Sequence, residues 1–223
     1  MEAVHINDVK NYKLEEKELI RRILVGEKEL YEILVKRNNQ KLYRIVRSYL
    51  MDEAEIEDIM QDTYVKAFTK LYLFKMESQF STWLIRIGIN ESLARLKDKG
   101  RIYELKTPSG HLSTTILEIP DSRQLNPQEK MIRSEAKQLL ENAIDSLDTK
   151  YRTVYVMKEV EEMSLKEIAI ALDLTVANVK VRLHRSKDML KEKLYQVVND
   201  KQVFEFGFSR CDRITENVMK RIQ

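Results

Sequence analysis

Several features common in other protein classes are missing from this chain. It has a single cysteine, Cys211, so an internal disulfide and a cysteine-based zinc site are excluded, and a reducing compartment is indicated. The histidines, His5, His111 and His184, are far apart and lack metal-ligand spacing. No apolar run approaches the length of a membrane span, and the N-terminal stretch is too charged for a signal peptide. We therefore expect a cytoplasmic protein that binds no metal and is not inserted in a membrane.

Turn-forming residues are also scarce, since the 223 residues include only 5 glycines and 3 prolines. Long segments with apolar residues at helical spacing instead favour an all-α protein. We find no glycine-rich phosphate loop and no nucleophile with a matching base, so an enzyme is a remote alternative and no cofactor is expected. The net charge is only +3, so any nucleic-acid-binding surface must be a local patch.

The prolines mark a boundary between two halves of the chain. Pro108, Pro120 and Pro127 lie in one segment that also contains other turn-forming residues. Periodic helical sequence lies on both sides of it. The sequence thus predicts an all-α fold of two small helical domains joined by a flexible linker. The predicted boundaries are 1–104 for the first domain, 105–128 for the linker, 129–196 for the second domain and 197–223 for a C-terminal extension.

The second half contains a helix-turn-helix pattern at residues 164–185. Ser164 can cap the first helix, and Glu167 completes a capping box three residues later. Asp173 and Leu174 make the turn, and Thr175 can cap the second helix. A helix, a tight turn and a second helix in this layout are typical of a DNA-binding helix-turn-helix.

The second helix of this pattern combines an apolar stripe with an exposed cationic face. The stripe consists of Val176, Val179, Leu183, Leu190 and Leu194. Lys180 and Arg182 project from the flanks, where they could bind phosphates while His184 and Arg185 approach base edges. Residues 174–193 carry a net charge of +4, which exceeds that of the whole chain. An ordinary amphipathic surface helix is the alternative that this pattern alone leaves open.

The first half contains a strongly acidic segment. Residues 52–62 include six carboxylates and no lysine or arginine. Glu55, Asp58 and Asp62 follow one another along one helix face, outside the apolar stripe. Compensation of the helix dipole, worth about 0.3–1 kcal/mol for each carboxylate, would need only two or three of them. The longer row therefore favours a surface that binds a basic partner.

An aromatic loop and the helix with the only tryptophan come next. Residues 74–81 are predicted to form the loop, and Ser81 or Thr82 begins the helix that contains Trp83. A run rich in lysine and arginine at 95–106 suits a nucleic-acid backbone. A single tryptophan is more often a core residue than a base-stacking platform. A loop directly before a basic helix nevertheless fits a pocket for an unstacked base.

In this order, the segments resemble bacterial sigma factors of the extracytoplasmic-function (ECF) class, a small two-domain group of the sigma-70 family. The resemblance covers about residues 15–195. It rests on residues 58–68 (DIMQDTYVKAF), 80–90 (FSTWLIRIGIN) and 175–185 (TVANVKVRLHR). It implies a protein that binds core RNA polymerase and directs promoter-specific initiation, while catalysing no reaction itself.

The resemblance also implies roles for particular residues. Contacts to the β′ clamp helices of polymerase are expected from Glu55, Asp58, Gln61 and Asp62, and the β subunit is a further partner. At the −10 promoter element of the family, a base is flipped into a protein pocket. The residues that the resemblance implies for reading and opening this element are Phe74, Lys75, Ser78, Gln79, Phe80, Trp83, Arg86 and Asn90. The −35 element would be read by Thr175, Asn178, Lys180, Val181, Arg182, His184 and Arg185. The resemblance also allows an anti-sigma factor as a further partner.

The chain departs from the family pattern in places. Asp173 stands where the turn usually carries glycine, Val181 where serine is frequent, and Ala94 where aspartate is frequent. The extension beyond about residue 196 lies outside the pattern. Two alternatives remain: a helix-turn-helix regulator that acts without polymerase, and a sigma-like protein that binds polymerase but has lost promoter opening.

Overall fold

The computed structural model describes residues 14–103 and 127–198, with Arg213 and Met219 as single positions beyond them. The first range contains α1 (Glu16–Leu24), α2 (Tyr31–Arg47), α3 (Glu53–Thr69) and α4 (Phe80–Tyr103). The second contains α5 (Pro127–Asp145), α6 (Thr149–Tyr155), a π-helical turn (Val156–Val160), α7 (Leu165–Leu172) and α8 (Val176–Val198). The all-α prediction is confirmed, since no strand occurs in either described range.

Helices α1–α4 form an N-terminal unit with a core of its own. Helices α2, α3 and α4 each pack against the other two. Leu34, Ile56 and Leu84 are among the side chains fully buried between them. Gly88 permits the close approach of α2 and α4, because a Cβ atom there would lie 2.8 Å from Leu42 Cδ1.

The predicted apolar stripe of α3 is largely buried in this core. Ile56, Ile59, Thr63 and Ala67 lie inside it. The ring of Phe68 lies at the rim of the core and is partly exposed. It packs edge-on against Tyr31, with ring centroids 5.0 Å apart.

Helices α5–α8 form a C-terminal unit, and its helix-turn-helix agrees with the prediction. In the capping box, the Glu167 N–H donates to Ser164 Oγ at 3.2 Å, and the Ser164 N–H donates to Glu167 Oε2 at 2.8 Å. Thr175 Oγ1 accepts from the N–H of Asn178 at 3.2 Å. Asp173 adopts the left-handed conformation, with φ 54° and ψ 49°. Sequence signals within a few residues therefore determine this motif.

The two units pack directly against each other, which a flexible linker did not lead us to expect. Ile45 of α2 and Ile85 and Ile89 of α4 join a core cluster made otherwise of C-terminal side chains such as Met157 and Ile168. Helix α4 also packs along α7. The C-terminal core is therefore completed by the N-terminal unit.

The predicted boundaries differ slightly from the helix ends. Helix α5 begins at Pro127, inside the predicted linker, and α8 continues to Val198, beyond the predicted end at 196. The rest of the linker, residues 105–126, lies outside the described residues. So does the extension from 199 onward, except for Arg213 and Met219.

Candidate nucleic-acid interface

Helix α8 exposes the side chains that we predicted to contact DNA. Its buried side is anchored by Val179 and Leu190. The predicted −35 residues lie mainly on the solvent side: Thr175, Asn178, Lys180, Val181, His184 and Arg185 are exposed, and Arg182 is half-buried. The helix therefore has one side packed in the protein and one side free to enter a groove.

Several of these exposed side chains are held in place by neighbours. Arg182 Nε donates to Asn178 Oδ1 at 2.8 Å. Arg185 Nη1 donates to the Tyr151 hydroxyl at 3.4 Å, and this hydrogen bond lowers the pKa of Tyr151. His184 Nδ1 lies 3.2 Å from a carboxylate oxygen of Asp188. Exposed contacts of this kind are weak, so they can be exchanged for contacts with DNA.

The acidic helix α3 begins with its own dipole already compensated. Asp52 caps it by accepting from the Glu55 N–H at 3.0 Å, and Glu53 and Glu55 lie in the first turn. The helix dipole acts only over about the first turn. Asp58 and Asp62 lie farther along and are exposed, and within the described ranges neither forms an ion pair. Dipole compensation does not explain these two carboxylates, so they favour a partner surface.

Glu55 differs from the other predicted polymerase contacts. Its carboxylate pairs with Lys99 Nζ at 2.5 Å, and Arg95 Nη1 lies 3.9 Å away, both on α4. Glu55 therefore ties α3 to α4 in this structure, and its role as a polymerase contact stays a prediction. Asp58, Gln61 and Asp62 remain exposed on α3.

Three aromatic side chains of the predicted −10 site form one cluster. The ring centroids of Phe74, Phe80 and Trp83 lie 5.3–5.9 Å apart. Phe80 is 0% exposed and Phe74 only 9%. Both rings lie in the core and face away from solvent, so the assignment of these two residues as DNA contacts stays a prediction that their burial does not favour. They instead support Trp83, which is half-buried at the edge of that core.

The remaining predicted −10 residues surround this cluster at the surface. Lys75, Gln79, Arg86 and Asn90 are exposed, and Ser78 is partly exposed. Sequence reasoning missed how their loop is fixed. The backbone N–H of Phe80 donates to Glu16 Oε1 of α1 at 2.7 Å, so a distant carboxylate holds the start of α4. No local signal could identify that contact.

Within the described residues, no group of histidine, cysteine or carboxylate side chains could hold a metal ion. No helix in these same ranges has the length and apolar character needed to cross a membrane.

Comparison with known proteins agrees with this arrangement. The model of sigma-70 region 2 matches residues 34–102, and that of sigma-70 region 4 matches residues 137–190. The ECF RNA polymerase sigma factor SigW of Bacillus subtilis is 30% identical over 80% of this chain and 96% of that protein. The ECF sigma-E factor of Escherichia coli K12 is 27% identical over 83% of this chain and 97% of that protein.

Solved structures show the same fold. The structure of CnrH in complex with the cytosolic domain of CnrY has a TM-score of 0.56 and 25% identity, over 81% of this chain and 97% of that one. The sigma factor RpoE of Bartonella quintana, solved with the anti-sigma factor NepR, has a TM-score of 0.59 and 20% identity over 74% of this chain and 96% of that one. On the sequence match to SigW and both family models, the chain belongs to the ECF RNA polymerase sigma factors.

Proposed function

We propose that this sigma factor divides promoter recognition between its two units. Helix α8 reads the −35 element in the major groove, and α4 with the loop before it reads and opens the −10 element. The observation that carries this proposal is the two-sided character of α8: its inner side is buried, and its DNA-facing candidates are exposed. RNA polymerase carries out the synthesis, and the chain contributes no catalytic group.

The −10 proposal assigns different tasks to buried and exposed residues. Phe74 and Phe80 stiffen the platform on which Trp83 lies. Lys75, Gln79 and Asn90 are exposed around it and can contact strand or base. Extrusion of a base costs a few kcal/mol, so protein contacts to the extruded base and its strand must offset that cost.

Core polymerase is proposed to bind the exposed end of the acidic row on α3. Asp58, Gln61 and Asp62 face solvent, and a basic surface such as the β′ clamp helices would complement them. The cytoplasm is the compartment where that partner is met. CnrH is solved with a protein partner, CnrY, and we propose that a comparable anti-sigma partner exists for this chain.

Run-off transcription with core polymerase over a promoter library tests the proposed function. The full chain should start transcripts at promoters that share −10 and −35 elements. A helix-turn-helix regulator acting without polymerase would give no transcripts and would not co-purify with core enzyme. A chain that binds core stoichiometrically but opens no promoter would contradict the −10 assignment alone.

A matched pair of charge reversals tests the polymerase surface. Asp58→Lys/Asp62→Lys should abolish binding to core polymerase while the circular dichroism spectrum stays unchanged. The control, Glu29→Lys/Glu57→Lys, makes the same change in charge at other exposed positions and should bind normally. Normal core affinity of the first variant would refute this surface.

One substitution tests the −35 assignment. Arg185→Ala should weaken recognition of the preferred −35 sequence by about 1–3 kcal/mol if the guanidinium makes a bidentate base contact. Lys193→Ala, an exposed change on the same helix beyond the motif, serves as control. An equal loss on all DNA sequences would identify Arg185 as a phosphate contact.

A further inference from the structure

Val181 is an exposed aliphatic residue in the middle of the side of α8 that we propose to face DNA. It is 51% exposed, whereas Val179, on the opposite side of the helix, is 0% exposed. Valine also favours a helix less than alanine, lysine or arginine does, so at an exposed position it lowers helix stability. Packing and helix propensity therefore give no reason for a valine at position 181.

The residues around Val181 on the helix surface are polar or small. At about 100° per residue, Asn178, His184 and Arg185 lie one turn away and within about 60° of it. All three are exposed. Ala177 lies in the same sector and is too short to cover the valine. An isopropyl group thus stands at the centre of a surface that can otherwise make hydrogen bonds.

The direction of this isopropyl group is fixed by the backbone. A valine in a helix has essentially one χ1 rotamer, because its two methyl groups crowd the preceding turn. A lysine or arginine at the same position would lose far more side-chain freedom when it is ordered by a contact. Val181 therefore presents its methyl groups in one orientation and loses little entropy when it touches a ligand.

Val181 is not part of a larger apolar patch along the described length of α8. The other exposed large apolar residues of this helix are Val176 and Tyr195. Val176 lies about 140° around the helix from Val181, and Tyr195 lies about 21 Å farther along the axis. Lys180 and Arg182 flank the valine instead. Protein partners bind contiguous apolar patches of several hundred Å², so an isolated aliphatic group between cations favours DNA as the ligand.

The major groove of DNA offers one apolar group to such a side chain. Thymine presents its C5 methyl group there, whereas guanine and adenine present N7 with O6 or an amino group, and cytosine presents an amino donor. An isopropyl group pressed against a polar base edge would remove its water and offer no hydrogen bond in exchange, which is unfavourable. Against thymine, the same group buries methyl against methyl.

From these observations, we propose that Val181 reads the C5 methyl group of a thymine in the −35 element. The base pair that faces the middle of α8 is then selected as one with thymine at that edge. Polar neighbours such as Arg185 contribute hydrogen bonds, whereas Val181 selects by shape and apolar contact alone. This inference rests on the proposed function, in which α8 enters the major groove.

The size of the effect follows from the chemistry of one methyl group. Loss of a single buried methyl group should weaken promoter binding about threefold to fourfold. Replacement of the whole base pair by C·G also places an amino donor against the isopropyl group. That change should weaken binding about tenfold. The two changes together give a graded pattern that identifies a methyl contact.

Deoxyuridine tests the proposal, because it removes only the C5 methyl group of thymine and keeps base pairing. Run-off transcription with core polymerase and the full chain over a promoter library first gives the preferred −35 sequence. Each thymine in that sequence, on either strand, is then replaced singly by deoxyuridine. At one position we expect the promoter concentration for half-maximal run-off to rise about threefold to fourfold.

A matched pair of variants assigns the effect to Val181. Val181→Ala should bind thymine and deoxyuridine equally at that position, because its side chain no longer reaches the methyl group. The control, Ile170→Ala, shortens another exposed β-branched residue of the helix-turn-helix, 48% exposed on α7. It should keep the wild-type discrimination. Since both residues are exposed, the circular dichroism spectra should remain unchanged.

A second probe adds the methyl group to a different base. With C·G at the identified position, 5-methylcytosine carries a methyl group in the major groove that cytosine lacks. It should recover about threefold of the lost promoter binding for the wild-type chain and none for Val181→Ala. Equal binding of cytosine and 5-methylcytosine by the wild-type chain would contradict the methyl contact.

The results distinguish failure of this inference from failure of the proposed function. A preferred −35 element without thymine, or one in which every deoxyuridine is tolerated, would overturn the role of Val181. A deoxyuridine effect that persists in Val181→Ala would also overturn it, since another group would then read the methyl. If the wild-type chain supports no promoter-specific run-off with core polymerase, the proposed function falls instead.

Discussion

The two units differ in how their cores are completed. The N-terminal core is built from side chains of α1–α4 and the turns between them. The C-terminal core includes Ile45, Ile85 and Ile89 from the other unit. One unit is therefore self-contained, whereas the unit with the helix-turn-helix uses its neighbour as part of its interior.

The size of the C-terminal unit explains this dependence. A unit of about 70 residues buries only a modest share of its apolar surface, so its core alone contributes little net stability. Helix α5 and the π-helical turn also leave apolar side chains at the surface, among them Leu139, Leu140 and Val160. Three isoleucines from α2 and α4 add buried surface that the unit cannot supply itself.

The largest predicted effect concerns the self-contained core. Phe80→Ala should lower the free energy of unfolding by about 3–5 kcal/mol, because it removes a fully buried ring that packs against Phe74 and Trp83. Urea unfolding followed by circular dichroism measures the loss. Tyr72→Ala, at an exposed position nearby, should change it by less than about 0.5 kcal/mol. Similar losses of unfolding free energy for Phe80→Ala and Tyr72→Ala would contradict the burial of Phe80 in the core.

A second prediction separates the two cores directly. Ile45→Ala should lower the free energy of unfolding of the full chain by about 2–4 kcal/mol, since Ile45 is completely buried against the C-terminal unit. In a fragment of residues 14–103, the same substitution should cause less than half of this loss in unfolding free energy, because the C-terminal unit is missing. Equal losses in the fragment and the full chain would show that Ile45 belongs to the N-terminal core alone.

The third prediction concerns a local element of the C-terminal unit. Ser164→Ala should lower the free energy of unfolding by about 1 kcal/mol at pH 7, because it removes the Ser164 hydroxyl from the capping box of α7. The hydrogen bond with Ser164 holds the pKa of the Glu167 carboxyl below its ordinary value of 4.5. That contribution is therefore present above pH 4.5 and is lost as the pH falls through the lowered pKa. Thermal unfolding of wild type and Ser164→Ala from pH 7 to pH 3 should show that the difference in stability between them becomes smaller as the pH falls.

The smallest predicted effect is at the turn of the helix-turn-helix. Asp173 adopts a left-handed conformation, which glycine adopts without a steric penalty. Asp173→Gly should therefore raise the free energy of unfolding by about 0.5 kcal/mol, whereas Asp173→Val should lower it. Differential scanning calorimetry can rank the three proteins. A stabilised valine variant would be inconsistent with this backbone geometry.

The distance over which a signal acts explains which features could be predicted. Ser164, Glu167 and Thr175 act within three residues along the chain, so the caps of the helix-turn-helix were predictable from sequence. The ion pair between Arg47 and Asp145 joins positions 98 residues apart and leaves no local pattern. Tertiary packing alone creates such contacts.

Burial also limited prediction of the candidate site. Phe74, Phe80 and Trp83 are all aromatic residues near one loop, and sequence cannot tell which ring faces inward. The structure places the first two in the core and leaves only Trp83 at its edge. Asp58 and Asp62 were easier to predict, because carboxylates outside an apolar stripe remain at the surface unless a distant cation reaches them, as Lys99 reaches Glu55.

The dependence of one core on the other has a consequence for synthesis on the ribosome. The N-terminal unit emerges first and can fold at once, because domains generally fold as units during translation. The helix-turn-helix unit emerges later and meets a docking surface, Ile45, Ile85 and Ile89, that is already in place. Each new molecule would thus leave the ribosome with its two units already joined.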